Sequence, residues 1–243
     1  LLSNGRYSVM MSAAGSGYSR WRDMALTRWR EDATCDDWGS YVFLRDVKTG
    51  QVWSAGVQPC GQAADDYHAV FSEDRCEFER RDGSLTTLME VLISAEDDAE
   101  VRRVSIVNRG SLWREVEVTS YAELVLAPQA ADVAHPAFSK LFVETEHLAG
   151  PSAVLATRRR RARDEPEIWA AHLSIVEGEA VGRAEFETDR ARFIGRGRDI
   201  RRPAAVLDGR PLSGATGFVL DPIFALRRRV RIPPGATARV TFW

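Results

Sequence analysis

The chain has little of what usually marks a metal protein or a disulfide-stapled protein. Three cysteines stand among 243 residues, Cys35, Cys60 and Cys76. They are too few for a disulfide framework and lack metal-ligand spacing, which indicates a reducing compartment. We expect Cys35, which lies in an aromatic-rich segment, to fill space rather than to react. The sequence therefore predicts neither a cofactor nor a metal.

The chain also lacks long apolar runs and a large excess of either positive or negative charge. No run approaches the roughly 20 apolar residues that a helix needs to cross a bilayer. The formal net charge is -2, from 33 Lys and Arg against 35 Asp and Glu, which argues against nucleic-acid or membrane-surface binding. The chain starts at Leu1 without an initiator Met or a secretory leader. We therefore expect a soluble fragment of a longer polypeptide, on the cytoplasmic side.

Helical periodicity is scarce, whereas strand-like alternation is widespread. Short β-branched or aromatic runs are separated by turn residues, with no amphipathic helices between them. This pattern predicts an all-β fold, a large two-sheet antiparallel sandwich with helix confined to short connections. The predicted strands cover residues 41–47, 76–80, 85–93, 101–107, 113–121, 141–147, 168–176, 224–232 and 237–243.

The segment 15–38 is rich in both aromatic and charged residues. It places four aromatics among four arginines and five acids. Aromatic faces stack on the C–H faces of sugar rings, and Arg and Asp hydrogen-bond hydroxyl groups. Because a core strand rarely tolerates so many charges, we interpret the segment as an ordered but irregular pair of loops that holds something polar and flat. Its aromatic residues are Tyr18, Trp21, Trp29 and Trp38.

Motifs for catalysis are weak. Gly15-Ser-Gly17 lacks the third glycine of a dinucleotide fingerprint. The adjacent acid pairs beginning at Asp36, Asp65 and Asp97 cannot place two carboxylates across a sugar ring, where about 5 Å or 6.5–9.5 Å of separation is needed.

The four histidines are scattered, without metal spacing or a nucleophile motif. We expect His147 and His172 to be ordinary sheet residues. His135 lies on a long connection over 128–138 and is the histidine that we regard as a candidate for a role.

Several motifs together resemble a known family. They are Ser12-Ala-Ala-Gly-Ser-Gly-Tyr-Ser-Arg-Trp-Arg-Asp, Thr27-Arg-Trp-Arg-Glu-Asp, Trp38-Gly-Ser-Tyr-Val-Phe-Leu-Arg-Asp, Val52-Trp-Ser-Ala-Gly-Val-Gln-Pro and His135-Pro-Ala-Phe. They resemble the N-terminal β-domain of the cellobiose-phosphorylase family, glycoside hydrolase family 94 (formerly glycosyltransferase family 36). Within it the chain looks most like the bacterial cyclic β-1,2-glucan synthases.

The resemblance implies a super-β-sandwich similar to galactose mutarotase. In the family this domain precedes a helical linker and an (α/α)6 barrel, which carries the general acid and the phosphate-binding residues and is absent here. We therefore expect residues 1–243 to form a single carbohydrate-binding sandwich domain without catalytic residues. The family's Gly-Tyr-Ser loop approaches the active site, and it often has Tyr where this chain has Trp21. By that resemblance the substrate-binding candidates are Tyr18, Arg20, Trp21, Arg22 and Asp23, with Arg28 and Arg30 as weaker ones.

The predicted function is sugar binding and scaffolding within a cyclic β-1,2-glucan synthase. The predicted partners are a glucan oligosaccharide and the helical catalytic domain of the same parent chain, and a homo-oligomer is a further expectation. The parent is expected to be anchored in the bacterial inner membrane. Two alternatives stay open: an autonomous sandwich enzyme, either a mutarotase-like epimerase or a glycosidase, and a structural interaction module whose tryptophans are core or interface residues.

Overall fold

Strands dominate the computed structural model, which describes residues 1–30, 38–160, 163, 165 and 167–243. The helices in this part of the chain have four to six residues each: α1 (Gln129–Ala134), α2 (Pro136–Lys140), α3 (Arg190–Ile194) and α4 (Ala204–Leu207). The strands are β1 (Leu2–Ser3), β2 (Tyr7–Met11), β3 (Gly17–Trp21), β4 (Met24–Thr27), β5 (Tyr41–Asp46), β6 (Val52–Ser54), β7 (Asp66–Phe71), β8 (Arg75–Asp82), β9 (Leu85–Ile93), β10 (Glu100–Asn108), β11 (Arg114–Pro128), β12 (Val143–Leu148), β13 (Ala153–Arg158), β14 (Trp169–His172), β15 (Ser174–Glu177), β16 (Glu179–Ala180), β17 (Glu185–Asp189), β18 (Gly217–Phe218), β19 (Pro222–Ile232) and β20 (Thr237–Phe242).

The described strands form three antiparallel sheets. The largest has ten strands in the main order β1-β2-β3-β4-β11-β19-β16, with β5 and β6 attached at β11 and β17 attached at β19. A six-stranded sheet has the order β15-β20-β10-β9-β8-β7, and a four-stranded sheet the order β14-β13-β12-β18. The expected all-β class is confirmed, although the prediction of two sheets omitted the smallest one.

The main core lies where the inward faces of these sheets meet. In β10, alternate side chains from Arg102 onward are buried, and Val104 and Ile106 are fully enclosed. They join one apolar cluster with residues of the ten-stranded sheet, such as Val118 and Leu226. Each such buried aliphatic side chain stabilises the fold by about 1.5–3 kcal/mol relative to exposure. Period-two burial is therefore what holds the layers together.

Strand β11 connects the core to the N-terminal strands. It pairs with β19 and β5 over its first part and with β4 over Leu124–Pro128. The register shifts between Leu124 and Ala127, and Leu126 has a φ of 51°. Such a bulge bends a strand. Here it marks the point where β11 changes partners and reaches the hairpin formed by β3 and β4.

The outer face of the ten-stranded sheet is covered by α3 and α4. Phe193 of α3 lies 5.0 Å from Tyr121 and 6.0 Å from Phe43, measured between ring centroids. Asp189 caps α3 by accepting a hydrogen bond from the backbone N–H of Ala191 at 2.9 Å. These short helices therefore bury a second, smaller apolar cluster.

Two local predictions were wrong. Residues 17–27, predicted as irregular loops, form the hairpin β3–β4, because Arg20 lies on the outward face of β3 and the other two charged residues, Arg22 and Asp23, lie in the turn. The predicted strand 168–176 is interrupted at Leu173, where the chain leaves β13 to pair with β20. The long connection predicted over 128–138 is present and contains α1 and most of α2.

Candidate functional site

The hairpin β3–β4 presents the aromatic and charged residues that the sequence singles out. Arg20 pairs with Ala25 and Trp21 with Met24, so the turn consists of Arg22 and Asp23. Arg22 has a φ of 54°, in the left-handed region that two-residue hairpin turns use and that usually favours glycine. A bulky residue held there is a strained feature of the kind that concentrates at functional sites.

Close backbone packing fixes the base of this hairpin. A Cβ atom on Gly17 would lie 2.0 Å from the carbonyl oxygen of Met10 in β2. Glycine therefore lets β3 approach its neighbour more closely than any other residue would. The glycine–tyrosine–serine pattern seen in the sequence thus positions the start of β3.

Strand alternation places the candidate residues on two opposite faces. Tyr18 and Arg20 point outward, where the Tyr18 ring lies 5.4 Å from that of Trp29. Ser19 and Trp21 belong to the inward row: Ser19 hydrogen-bonds Glu100, and Trp21 packs against the edge of the main core. The structure therefore does not bring all the candidates into one site.

Trp21 is half-buried and held in a fixed orientation. Its indole N–H donates to Asp98 at 2.6 Å, and the Arg22 guanidinium lies 4.7 Å from its ring centroid. The hydrogen bond from Trp21, followed by the ion pair with Arg6, lowers the pKa of Asp98. Trp21 thus presents a pre-oriented aromatic surface at the turn, with Arg22 and Asp23 both exposed beside it.

Two clefts meet at Trp21. The first, which we call the basic cleft, has a volume of about 470 Å³. The second, which we call the aromatic cleft, has a volume of about 620 Å³ and is lined by Tyr7, Trp21, Leu26, Asp98, Ala99, Glu100, Glu167, Ile168, Trp169, Ala170, Ala171, Leu173, Ile175 and Trp243. Both volumes fall in the range of roughly 300–1,000 Å³ that is typical of ligand pockets. The basic cleft is lined by Trp21, Arg22, Asp23, Met24, Ala127, Pro128, Ala131, Arg158, Arg159, Arg160, Glu165 and Ile168.

Arg28 lies elsewhere and has a different set of partners. It is 4% exposed, its Nε and Nη2 donate to Asp132 at 2.9 and 2.6 Å, and its Nη1 donates to Glu123 at 2.9 Å. Burial opposes its charge, but the two carboxylates more than offset that effect and raise its pKa. Because these acids occupy its guanidinium, Arg28 positions α1 against β11 and does not belong to the surface around Trp21.

Arg30 lies on the outward side of the hairpin, away from the basic cleft. It is exposed, and its guanidinium lies 4.8 Å from the ring centroid of Trp38. The expected contacts of the arginines with Glu31 and Asp32, and the side chain of Cys35, fall outside the described residues.

A buried polar cluster, unforeseen from the sequence, lies between the sheets. Glu100 accepts hydrogen bonds from Arg102 at 2.9 Å and from Tyr7 at 3.3 Å. His172 lines the same cavity of about 100 Å³. Glu100 and Arg102 stand in the row of β10 that leads to Val104, so the period-two pattern was the signal that could have located them.

His172 cannot readily exchange a proton with a sugar. Its Nδ1 lies 2.8 Å from the Trp243 carbonyl and its Nε2 lies 2.7 Å from Ser120 Oγ. Burial lowers its pKa to about 4. Both ring nitrogens are engaged, so His172 does not supply the His and Glu pair open to substrate that a mutarotase-like enzyme needs. His135, the histidine considered for a role, is exposed at the junction of α1 and α2.

Neither a metal site nor a membrane helix is found in the described part of the chain. Across residues 1–30, 38–160, 163, 165 and 167–243, no group of three or more His, Cys, Asp or Glu side chains is arranged to hold a metal ion. None of α1 to α4 is long and apolar enough to cross a membrane.

The three sheets, with α3 and α4 covering the largest of them, place the protein in the class of multi-sheet antiparallel β-sandwiches. A polysaccharide lyase of known structure shares this fold, with a TM-score of 0.52 and 14% identity over 98% of this chain and 31% of that one. More specifically, residues 1–243 match the model of the glycosyl hydrolase 94 supersandwich domain, and the chain belongs to that family.

Sequence comparison finds relatives of this chain among curated proteins. Over all 243 residues the chain is 44% identical to the cyclic beta-(1,2)-glucan synthase NdvB of Rhizobium meliloti (strain 1021), and it covers 9% of that protein. It is 24% identical to the solabiose phosphorylase of Paenibacillus borealis, over 80% of this chain and 24% of that one. It is 25% identical to an N,N'-diacetylchitobiose phosphorylase of Vibrio furnissii, over 98% of this chain and 29% of that one. The chain thus spans less than a third of the length of each of these relatives.

Proposed function

We propose that this chain is a carbohydrate-binding and scaffolding domain of a cyclic β-1,2-glucan synthase, with no turnover of its own. Its 44% identity to a protein of that name extends over the whole chain. The weaker similarity to two phosphorylases is consistent with a phosphorylase-like module elsewhere in a longer protein. The domain would bind the glucan that such a module processes.

The observation that carries the proposal is the pre-oriented Trp21 between two clefts. A β-1,2-glucan is uncharged and presents both C–H faces and hydroxyl groups. The half-buried indole offers a flat apolar surface once the exposed Arg22 side chain, which lies over the ring, turns aside, and Arg22 and Asp23 then offer an adjacent donor and acceptor. Because Asp98 already holds the indole N–H at 2.6 Å, little side-chain entropy is lost when a sugar stacks on the ring.

Titration of sophorose and of linear β-1,2-gluco-oligosaccharides, followed by tryptophan fluorescence, tests the proposal. We expect saturable binding that Trp21→Ala weakens. Trp113→Ala is a control, because Trp113 is an exposed tryptophan that, like Trp21, lies beneath an arginine, here Arg231, 5.5 Å from its ring centroid. Trp113 precedes β11, whose far end pairs with Met24, so the two tryptophans are separated by about 50 Å of strand at roughly 3.3 Å per residue. Absence of saturable binding, or an equal effect of both substitutions, would contradict the proposal.

The remaining partners belong to the same proposal. A helical catalytic domain of a longer chain would lie beside the hairpin, where Arg22 and Asp23 are exposed. Homo-oligomer formation, a cytoplasmic location and anchoring of the longer protein in the inner membrane stay predictions. A domain that only packs against such a partner is the second candidate, since Trp21 also contacts the main core.

A further inference from the structure

The aromatic cleft contains a second tryptophan with the same arrangement as Trp21. Trp169, in the edge strand β14, is 52% exposed. Its indole N–H donates to Glu167 Oε1 at 2.9 Å, just as that of Trp21 donates to Asp98 at 2.6 Å. Two carboxylate-held indoles therefore line one cleft of about 620 Å³.

From this arrangement we propose that the aromatic cleft is a second glucan subsite, with Trp169 as its stacking platform. A β-1,2-glucan longer than a disaccharide would cross over Trp21 and continue onto Trp169. The inference rests on the proposed function and extends it, because it assigns residues that the sequence did not single out. Trp21 lines both clefts and would be shared by the two subsites.

The chemistry of the cleft favours a sugar over an apolar protein segment. Two exposed carboxylates, Asp98 and Glu167, line it together with the aromatic and aliphatic side chains. Carboxylates accept hydrogen bonds from hydroxyl groups, so a polyhydroxylated chain satisfies both the apolar faces and the acceptors. An apolar helix laid on the cleft would instead desolvate these carboxylates without supplying donors.

The exposed apolar side chains of the aromatic cleft also support a glucan as its ligand. Ile175, at 51% exposure, lines the cleft with Trp169. Contiguous exposed apolar residues of this kind mark binding surfaces in soluble proteins. With its N–H group directed to Glu167, the exposed Trp169 indole presents a flat face to a ligand, whereas Arg22 lies over the ring of Trp21.

The test compares the binding of a short and a long β-1,2-glucan. Affinities of sophorose and of a linear β-1,2-glucohexaose are measured for the 243-residue chain and for Trp169→Ala, Trp169→Phe, Trp21→Ala and Trp113→Ala. We expect Trp169→Ala to weaken hexaose binding by about 3- to 10-fold, the range typical of a single aromatic contact, and to leave sophorose binding unchanged. Trp169→Phe keeps a stacking ring and is expected to retain most of the hexaose affinity. Urea denaturation of each variant confirms that the fold is intact.

The outcomes separate this inference from the proposed function. Wild-type hexaose affinity in Trp169→Ala, together with lost binding in Trp21→Ala, would overturn the second subsite and leave the proposed function standing. An equal loss for both sugars in Trp169→Ala would overturn the chain-length argument. No binding of either sugar to the unaltered chain would overturn both.

Discussion

Replacing Arg28 by Met is expected to destabilise the fold by about 3–5 kcal/mol. The guanidinium is 4% exposed and donates three charge-assisted hydrogen bonds, at 2.6–2.9 Å, to Glu123 and Asp132. Methionine fills much of the same volume, so the main loss is electrostatic. Asp132 loses the guanidinium that holds both of its oxygens, and Glu123 keeps Arg190 and Tyr121 as its partners. Breaking a buried ion pair by removing one member costs about this much. Chemical denaturation in urea, followed by fluorescence, measures the change.

An exposed ion pair provides the control. Arg239 donates one hydrogen bond to Glu177 at 3.1 Å, and the two side chains are 48% and 57% exposed. Arg239→Met should therefore cost less than about 1 kcal/mol. Adding Asp132→Asn to Arg28→Met should recover part of the stability, because it removes one uncompensated charge. Equal losses for the two arginine variants would refute the reasoning, and a loss of glucan affinity in Arg28→Met at unchanged stability would restore Arg28 as a ligand-binding residue.

Two further predictions concern protonation and catalysis. The pKa of His172 is about 4 in the fold and about 6.5 when unfolded, so the unfolded chain binds more protons between these values. Stability should therefore fall by about 1–2 kcal/mol from pH 7 to pH 5, a loss that His172→Gln should remove; the same slope in that variant would contradict the assignment. The chain should also release no glucose or glucose 1-phosphate from β-1,2-glucan, with or without phosphate. Release above the blank that disappears when one of its acids is replaced would contradict the scaffolding role.

Period-two alternation made half of the twenty described strands predictable. The predicted run 85–93 coincides with β9, and 224–232 lies within β19. Alternation reports which face is buried, but not which strands pair, because pairing depends on distant partners. The change of sheet at Leu173 and the four-stranded sheet were therefore not visible in the sequence.

The sequence predicted which segment carries the candidate site, but not how its side chains are arranged. Density of aromatics and arginines located the hairpin, yet alternation within β3 sends Tyr18 and Trp21 to opposite faces. Arg28 is chemically the same as its neighbours, and only the distant acids Glu123 and Asp132 give it another role. Trp169 was missed because its relation to Trp21 exists only after β14 has joined its sheet.

The most direct test of the account is a pair of measurements on Trp21→Ala. Since Trp21 is only half-buried, we expect its removal to cost about 2 kcal/mol of stability, below the 3–5 kcal/mol of a fully buried aromatic residue. The same substitution should weaken β-1,2-glucan binding by about 1–2 kcal/mol, as expected for loss of an aromatic contact. A stability loss of about 3–5 kcal/mol with unchanged glucan affinity would show that Trp21 is a core residue and would contradict the central claim.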